Sequence, residues 1–355
     1  MIQYGYDPRP TLPKTWSVTP LWRLLQCPLQ FAYDQDRNSS LQFRRGNTFS
    51  ALGNATHALE EAVHDGEFDS FQLDDLSRAI DEYWQRLIEG ELDKLRAQWP
   101  EYSLPRPADL PRYSIVYCSA TERARILAEA RRNRLPGSGK AQIEKTLVDS
   151  HNAIEGRPDR YVVDGSTFTV IDIKSGVVSD QIQPSHRHQL LTYCHLISLE
   201  TGLAPKSIAI QDIEGNLVIE DVDLHLVAAH MSDVLAAKST FSEKLQSGNS
   251  FLRDAKPGSE VCRYCNYRAI CQAYWHQPPP DRQQSDIRGV VVKTSSHGFT
   301  IKRDAADMPE PEFVSVTGYR PSVEPGASVI ITGGYIFRNS IKAGIGTTVF
   351  IADSV

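Results

Sequence analysis

The sequence predicts an α/β core with a helical N-terminal part and a small C-terminal β-barrel, and three observations carry that expectation. Apolar residues recur at helical spacing through the first hundred residues. From Ile143 the texture changes to short β-rich runs interleaved with two more helical stretches. Past the proline-rich polar segment Gln277–Gln284 (QPPPDRQQ) the chain reads as nearly pure β. The expected boundaries are 1–276 for the first domain, 277–285 for a linker and 286–355 for the barrel. A chain of 355 residues accommodates about two domains. With 41% hydrophobic and 23% charged residues it is neither disordered, collagen-like nor a coiled coil.

Taken in order, Pro20–Tyr33 has apolar residues at helical spacing, interrupted by Pro28. Thr48–His64 places Phe49, Leu52, Thr56, Leu59 and Val63 along one helical face. Asp74–Trp99 is a long amphipathic helix stopped by Pro100, and Glu101–Pro111 is a loop. Strands are expected at Lys145–Val148, Tyr161–Val163 and Thr167–Ile173. A helix at Ser185–Glu200, a strand at Ser207–Gln211 and a helix at Asp223–Gln246 complete the core. In the barrel, Gly289–Thr294 and Phe299–Lys302 flank a hairpin turn. Glu312–Thr317, Ser328–Ile331 and Thr347–Ala352 bring the expected total to about five strands.

No apolar run approaches the ~20 residues that span a bilayer. The start of the chain lacks a basic stretch followed by an apolar one, so a cytoplasmic protein is expected. The net charge of −6 argues weakly against nonspecific coating of nucleic acid. Cysteines in such a compartment are expected as thiols or ligands, not disulfides. Cys262, Cys265 and Cys271 are clustered, whereas Cys27, Cys118 and Cys194 are scattered. Cys27, followed by Pro28, is the candidate fourth ligand of a four-thiolate site, which suits either Zn²⁺ or an iron–sulfur cluster. Cys118 and Cys194 read as ordinary thiols.

The most informative stretch is EGRPDRYVVDGSTFTVIDIKSG, Glu155–Gly176. Asp164-Gly165 is a two-residue hairpin signal. With those residues as the turn, Val163 faces Ser166 and Asp159 lies opposite Val170, on the same face as Asp172 and Lys174. Such diagonal carboxylates are about 7–8 Å apart at Cα and can share one divalent ion. Two carboxylates with a main-chain carbonyl suit Mg²⁺ or Mn²⁺. A nearby lysine can stabilise charge on a phosphorane or orient a water. Further on, Gln189 and Tyr193 share one helical face.

Together these residues resemble the PD-(D/E)xK nuclease superfamily in its RecB/Cas4-like branch. The matching segments are GRPDR (Gly156–Arg160), IDIKSG (Ile171–Gly176) and QLLTY (Gln189–Tyr193), with GNATHALEE (Gly53–Glu61) as the upstream helix. The resemblance covers roughly residues 17–275. It implies a restriction-endonuclease-like core and metal-dependent hydrolysis of DNA phosphodiesters. It implies that His57, Asp159, Asp172 and the Ile173 carbonyl hold the metal, that Lys174 is the catalytic lysine, and that Gln189 and Tyr193 position substrate. It also implies a [4Fe–4S] cluster on Cys27, Cys262, Cys265 and Cys271. Many members carry Glu where this chain has Asp172. His57 shares its helical face with Glu60, Glu61 and His64, so a solvated polar face is the plain alternative to a ligand. Glu144 is a further candidate acid.

Two surfaces are candidates for DNA. Thr121–Lys145 carries Arg123, Arg125, Arg131, Arg132, Arg134, Lys140 and Lys145, a potential phosphate-contacting segment. The C-terminal barrel resembles an OB-fold, a fold that often binds single strands. There Phe299, Tyr319, Tyr335 and Phe337 are candidate stacking residues, with Arg320, Arg338 and Lys342 as phosphate partners. The chain has no phosphate-binding G-x-x-x-x-G-K-[ST] loop, so any helicase or ATPase partner, or defence-complex subunit, is a separate polypeptide. The leading expectation is a DNA nuclease acting on single strands or ends. The alternatives are a non-catalytic DNA-binding or scaffold subunit and a zinc-stabilised binding protein.

Overall fold

Pro28 splits the first expected helix in two. The computed structural model describes residues 4–43, 48–98, 106–110, 112–132, 142–143, 145–174, 180–212, 215–279, 285–304, 312–319, 322–337, 340–344 and 346–352. After a short strand β1 (Trp16–Ser17), helix α1 (Val18–Gln26) ends at Cys27, whose backbone is extended, and α2 (Pro28–Gln35) starts with Pro28 in its first turn. Proline suits that position because its missing N–H has no partner to lose there. The break leaves Cys27 at the corner between the two helices. α3 (Arg37–Phe43) follows.

α4 (Thr48–Asp65), α5 (Leu73–Gln98) and α6 (Tyr113–Arg132) pack against one another. α5 buries Leu76, Ile80, Trp84, Ile88, Leu92 and Leu95, a stripe of helical period. α6 buries Val116, Ala120, Ala124 and Ala128 instead. The sequence reading found only its basic end, because a stripe of alanine carries little hydropathy signal.

The central sheet has the order β2-β5-β6-β7-β8, from β2 (Gln142–Ile143), β5 (Arg160–Asp164), β6 (Thr167–Lys174), β7 (Ala204–Asp212) and β8 (Leu217–Asp221). A side sheet joins β1 to β4 (Ile154–Gly156) and β3 (Leu147–Asp149). β5 and β6 form an antiparallel hairpin, while β6 and β7 run parallel, joined through α7 (Pro184–Thr201). α8 (Leu224–Gln246) and α1 pack on α7. Asp223, expected as the first residue of α8, is its N-cap and accepts from Leu226 N at 2.8 Å. β6 is buried from Val170 through Ile173, as a strand covered on both faces must be.

The hairpin register corrects the sequence reading. Asp164 pairs with Thr167, so the turn is Gly165-Ser166, with Gly165 at φ +61°. Arg160 lies opposite Ile171, and the continuation of that register sets Asp159 level with Asp172 rather than with Val170. Moving the turn by one residue shifts both strands together. Asp159 and Asp172 therefore stay on one face, and closer than the diagonal placement implied.

Past α9 (Ser259–Arg263) and α10 (Gln272–His276) lies a second sheet of seven strands, not five. Its strands are β9 (Ile287–Ser295), β10 (Gly298–Arg303), β11 (Phe313–Thr317), β12 (Ser328–Thr332), β13 (Tyr335–Phe337), β14 (Ser340–Lys342) and β15 (Thr348–Ala352). The extra pair, β13 and β14, are three residues each. The order β13-β14-β11-β10-β9-β12-β15 has no rung among the described residues that closes it, so the expected barrel is a curled half-barrel sheet.

This sheet leans on the cysteine-bearing segment through β12 and β15. Buried Asp286 accepts from Arg268 Nε at 2.7 Å, Tyr274 Oη at 2.6 Å and Gly333 N at 2.8 Å. Phe350 packs 5.5 Å from Phe43. No described helix is long and apolar enough to cross a membrane.

Candidate active site and cysteine pocket

The hairpin delivers two carboxylates and a lysine to one end of the central sheet. Asp159, immediately before β5, accepts a hydrogen bond from Ile173 N at 2.7 Å. Asp172, on β6, is 4% exposed, and its Oδ2 lies 2.7 Å from Lys174 Nζ. That oxygen nevertheless has no aligned hydrogen-bond donor. His57, on α4, brings Nδ1 to 4.0 Å from Asp159 Oδ1. Burial first, and then the neighbouring Asp172, push the Asp159 carboxyl up to about 6, against the opposing pull of His57, Ile173 N–H and Lys174.

Gln189 and Tyr193, one turn apart on α7, meet through a 3.2 Å hydrogen bond from Gln189 Nε2 to the Tyr193 hydroxyl. Burial chiefly raises the Tyr193 hydroxyl to about 12, and the charges of Asp159 and Asp172 act in the same direction. Gly156 has a packing reason: a Cβ there would sit 2.5 Å from Val18 and 2.7 Å from the Tyr193 ring. The structure thus brings His57, Asp159, Asp172, Lys174, Gln189 and Tyr193 into one region, and Ile173 contributes its N–H.

One part of the site escaped the sequence reading. Arg123 on α6 pairs through Nε with Glu60 on α4 at 2.6 Å and donates to Gln211 Oε1 on β7 at 2.9 Å. Arg160 donates to the same Gln211 oxygen at 3.1 Å. This network ties the helix bearing His57 to the strands bearing the acid pair. Burial raises the Glu60 carboxyl against the pull of Arg123 and His57. Glu60 thus serves an internal ion pair rather than a solvated face. No periodicity links these residues, because they lie on four different elements.

Arginines of the basic segment are likewise engaged with this chain's own groups. Arg131 Nη1 donates to the His64 carbonyl at 2.6 Å, and Arg132 Nη2 to the Phe68 carbonyl at 2.7 Å. Arg125 pairs with Glu122 and Glu129. Among the candidate stacking residues, Phe299 is core and packs on Tyr319, whereas Tyr335 on β13 is exposed. Arg134, Lys140, Glu144, Arg320 and Arg338, and the side chain of Phe337, lie outside the described residues.

Cys27, Cys262, Cys265 and Cys271 line one small cavity, together with Tyr33, Tyr267 and Tyr274. Arg268 Nη1 holds the cysteine segment by donating to the carbonyls of Cys262 at 2.7 Å, Arg263 at 2.8 Å and Cys265 at 3.1 Å. Burial pushes the Cys271 thiol up to about 12 and the Cys265 thiol well above its ordinary range. Cys118 is exposed, Cys194 is buried, and the six cysteines form no disulfide.

Among the described residues no three His, Cys, Asp or Glu side chains form a ready single-ion site. Mg²⁺, however, is usually held by one or two carboxylates and keeps several waters. A close acid pair with an undersatisfied buried oxygen fits such an ion.

A search of curated proteins gives no match. Among solved structures, that of a candidate exonuclease from Eubacterium rectale is similar at 13% identity and a TM-score of 0.35, over 66% of this chain and 82% of that one. A family model described as the PD-(D/E)XK nuclease superfamily matches residues 15–272. That span runs from α1 through the acid pair to the last of the clustered cysteines, and on it the chain belongs to the PD-(D/E)XK nuclease superfamily.

Proposed function

We propose that the chain is a Mg²⁺- or Mn²⁺-dependent deoxyribonuclease that cleaves phosphodiester bonds of single-stranded DNA or DNA ends, in repair, recombination or defence against foreign DNA. Nucleases of this superfamily are usually metal-dependent phosphodiester hydrolases. The observation that carries the reading is the placement of Asp159, Asp172 and Lys174 together at the end of the hairpin. Asp159 and Asp172, with His57 and the Ile173 carbonyl, would hold the ion. When bound, the ion polarises a phosphoryl oxygen and lowers the pKa of its water. Lys174, paired with Asp172, supplies positive charge where the phosphorane becomes more negative. Gln189 and Tyr193 face the same region and orient the substrate.

We also assign a [4Fe–4S] cluster to Cys27, Cys262, Cys265 and Cys271, placing the chain in the RecB/Cas4-like branch. The support is that all four line one cavity. Four thiolates are the usual ligand set of such a cluster. The half-barrel sheet is OB-like in this reading, and a helicase or ATPase, or a defence-complex subunit, acts as a separate partner.

The test is incubation of labelled single- and double-stranded DNA with Mn²⁺, beside Lys174→Ala and Asp172→Ala. Cleavage by the parent chain and none by either variant is expected. Equal cleavage by the variants would remove the assigned site, and no cleavage by the parent would favour the scaffold alternative.

A further inference from the structure

We infer that the cleft between α1, the start of α7 and α9 is a single-stranded DNA track, with Trp22 and Tyr264 as its base-stacking platforms. The inference rests on the nuclease reading for what the track delivers, and on the cleft alone for what it binds. The cleft has a volume of about 610 Å³. That lies within the range of ligand-binding clefts.

Tyr264, on its rim, is 78% exposed, the most exposed large apolar side chain among the described residues. Its ring face is therefore open to a stacking ligand. The Arg263 guanidinium lies 5.6 Å from the Tyr264 ring centre, so a cation accompanies the platform. From the other wall, Trp22 is held against His188 with ring centres 4.4 Å apart. Arg23 beside it also lines the cleft, with its guanidinium held by Asp34 at 2.8 Å. Aromatic faces paired with guanidinium groups recognise unpaired bases and their phosphates without regard to sequence. Glu260 is the acidic side chain in the lining, which keeps the cleft from being a plain phosphate trap.

One lining residue faces toward the acid pair. His186, in the first turn of α7, lines the cleft and lies within electrostatic reach of Lys174 and Asp172. A second opening, lined by Asn54, His57, Arg157 and Asp159, reaches Asp159 from α4. Tyr264 also falls between Cys262 and Cys265, so the segment that carries the cysteines carries the platform.

The test is fluorescence anisotropy with a labelled oligo-dT and a blunt duplex, in Ca²⁺ so that binding is read without turnover. Trp22→Ala and Tyr264→Ala are each expected to weaken oligo-dT binding about 5- to 100-fold, the size of one lost stacking contact. Tyr264→Phe keeps the ring and is expected to keep the affinity, and duplex binding is expected to change by less than about twofold. Unchanged oligo-dT affinity in Tyr264→Ala would overturn the inference, as would an equal loss on duplex or a Tyr264→Phe variant as weak as the alanine. Tyr264 is exposed enough that its substitution leaves the fold intact. Weakened binding in a chain that never cleaves DNA would remove the nuclease reading and keep the track. Unchanged binding in a chain that cleaves normally would do the reverse.

Discussion

The acid pair and the cysteine pocket both crowd groups that repel one another once ionised, but the fold surrounds them differently. Around Asp159 and Asp172 it places Lys174, His57 and the Ile173 N–H, and leaves Asp159 21% exposed. The Asp159 carboxyl, raised to about 6, is therefore ionised at neutral pH and open to solvent. Around the cysteines it places aromatic rings and an arginine whose N–H groups serve main-chain carbonyls and Asp286. Burial there raises the Cys265 and Cys271 thiols, which favours their protonated form in the absence of a metal. Under the proposed function, the same family domain combines a site for a visiting ion with one for a resident group.

Chelation breaks this comparison most sharply. Treatment with EDTA followed by buffer exchange is expected to lower DNA cleavage by at least about 10³-fold and to be reversed by Mg²⁺ or Mn²⁺. Iron and acid-labile sulfide are expected to stay unchanged under the same treatment. Loss of iron together with activity would mean that the two sites are not distinct in exchangeability.

Cys262→Ser addresses the resident side. Anaerobically purified protein is expected to contain iron and sulfide that this variant lacks. Its midpoint of thermal unfolding should fall by more than about 10 °C, because binding energy at a structural site is folding energy. Stoichiometric zinc with no iron in the parent chain would replace the cluster by a zinc site.

The acid limb of the pH profile sharpens the exchangeable side. Asp159 is pushed up to about 6, so protons compete with the ion for it below that value. Cleavage at subsaturating Mg²⁺ is expected to fall about tenfold per pH unit below pH 6 and to level off above it. A limb centred near pH 4 would mean that Asp159 is not desolvated as its surroundings imply.

How much of this was legible in the sequence depended on whether a local rule connects the residues involved. Asp159, Asp172 and Lys174 were legible because alternation along a strand fixes sidedness even when the turn is misplaced by one residue. The misplacement arose because Asp164-Gly165 matches a common turn pair, whereas Asp164 in fact closes the ladder with Thr167. α6 escaped because its buried stripe is alanine, and β13 and β14 because three residues are too few to show alternation. The Glu60–Arg123–Gln211–Arg160 network was invisible, since only the tertiary fold joins its members. Cys27 joined its three partners in the reading because a four-thiolate site needs a fourth ligand, with no local rule connecting it to them. The fold supplies the physical reason, in that Pro28 forces the corner that presents it to the cavity.

The smallest effect tests whether the acid pair is held against its own repulsion. The Asp159 carboxyl titrates near 6 in the folded chain against 3.8 ordinarily, so the folded state binds more protons than the unfolded one between those values. Metal-free stability therefore falls as pH rises from about 4 to about 6, and the full penalty persists above. Asp159→Asn removes it. At pH 8 without metal this variant is expected to be more stable than the parent by about 1–2 kcal/mol, less than the full shift implies because Asp159 is partly solvated. Adding Mg²⁺ should stabilise the parent and not the variant, since the ion and the substitution relieve the same repulsion. A variant less stable than the parent at pH 8 would show that the hydrogen bond from Ile173 N outweighs the repulsion. The pair would then be a structural clasp rather than a site kept open for an ion.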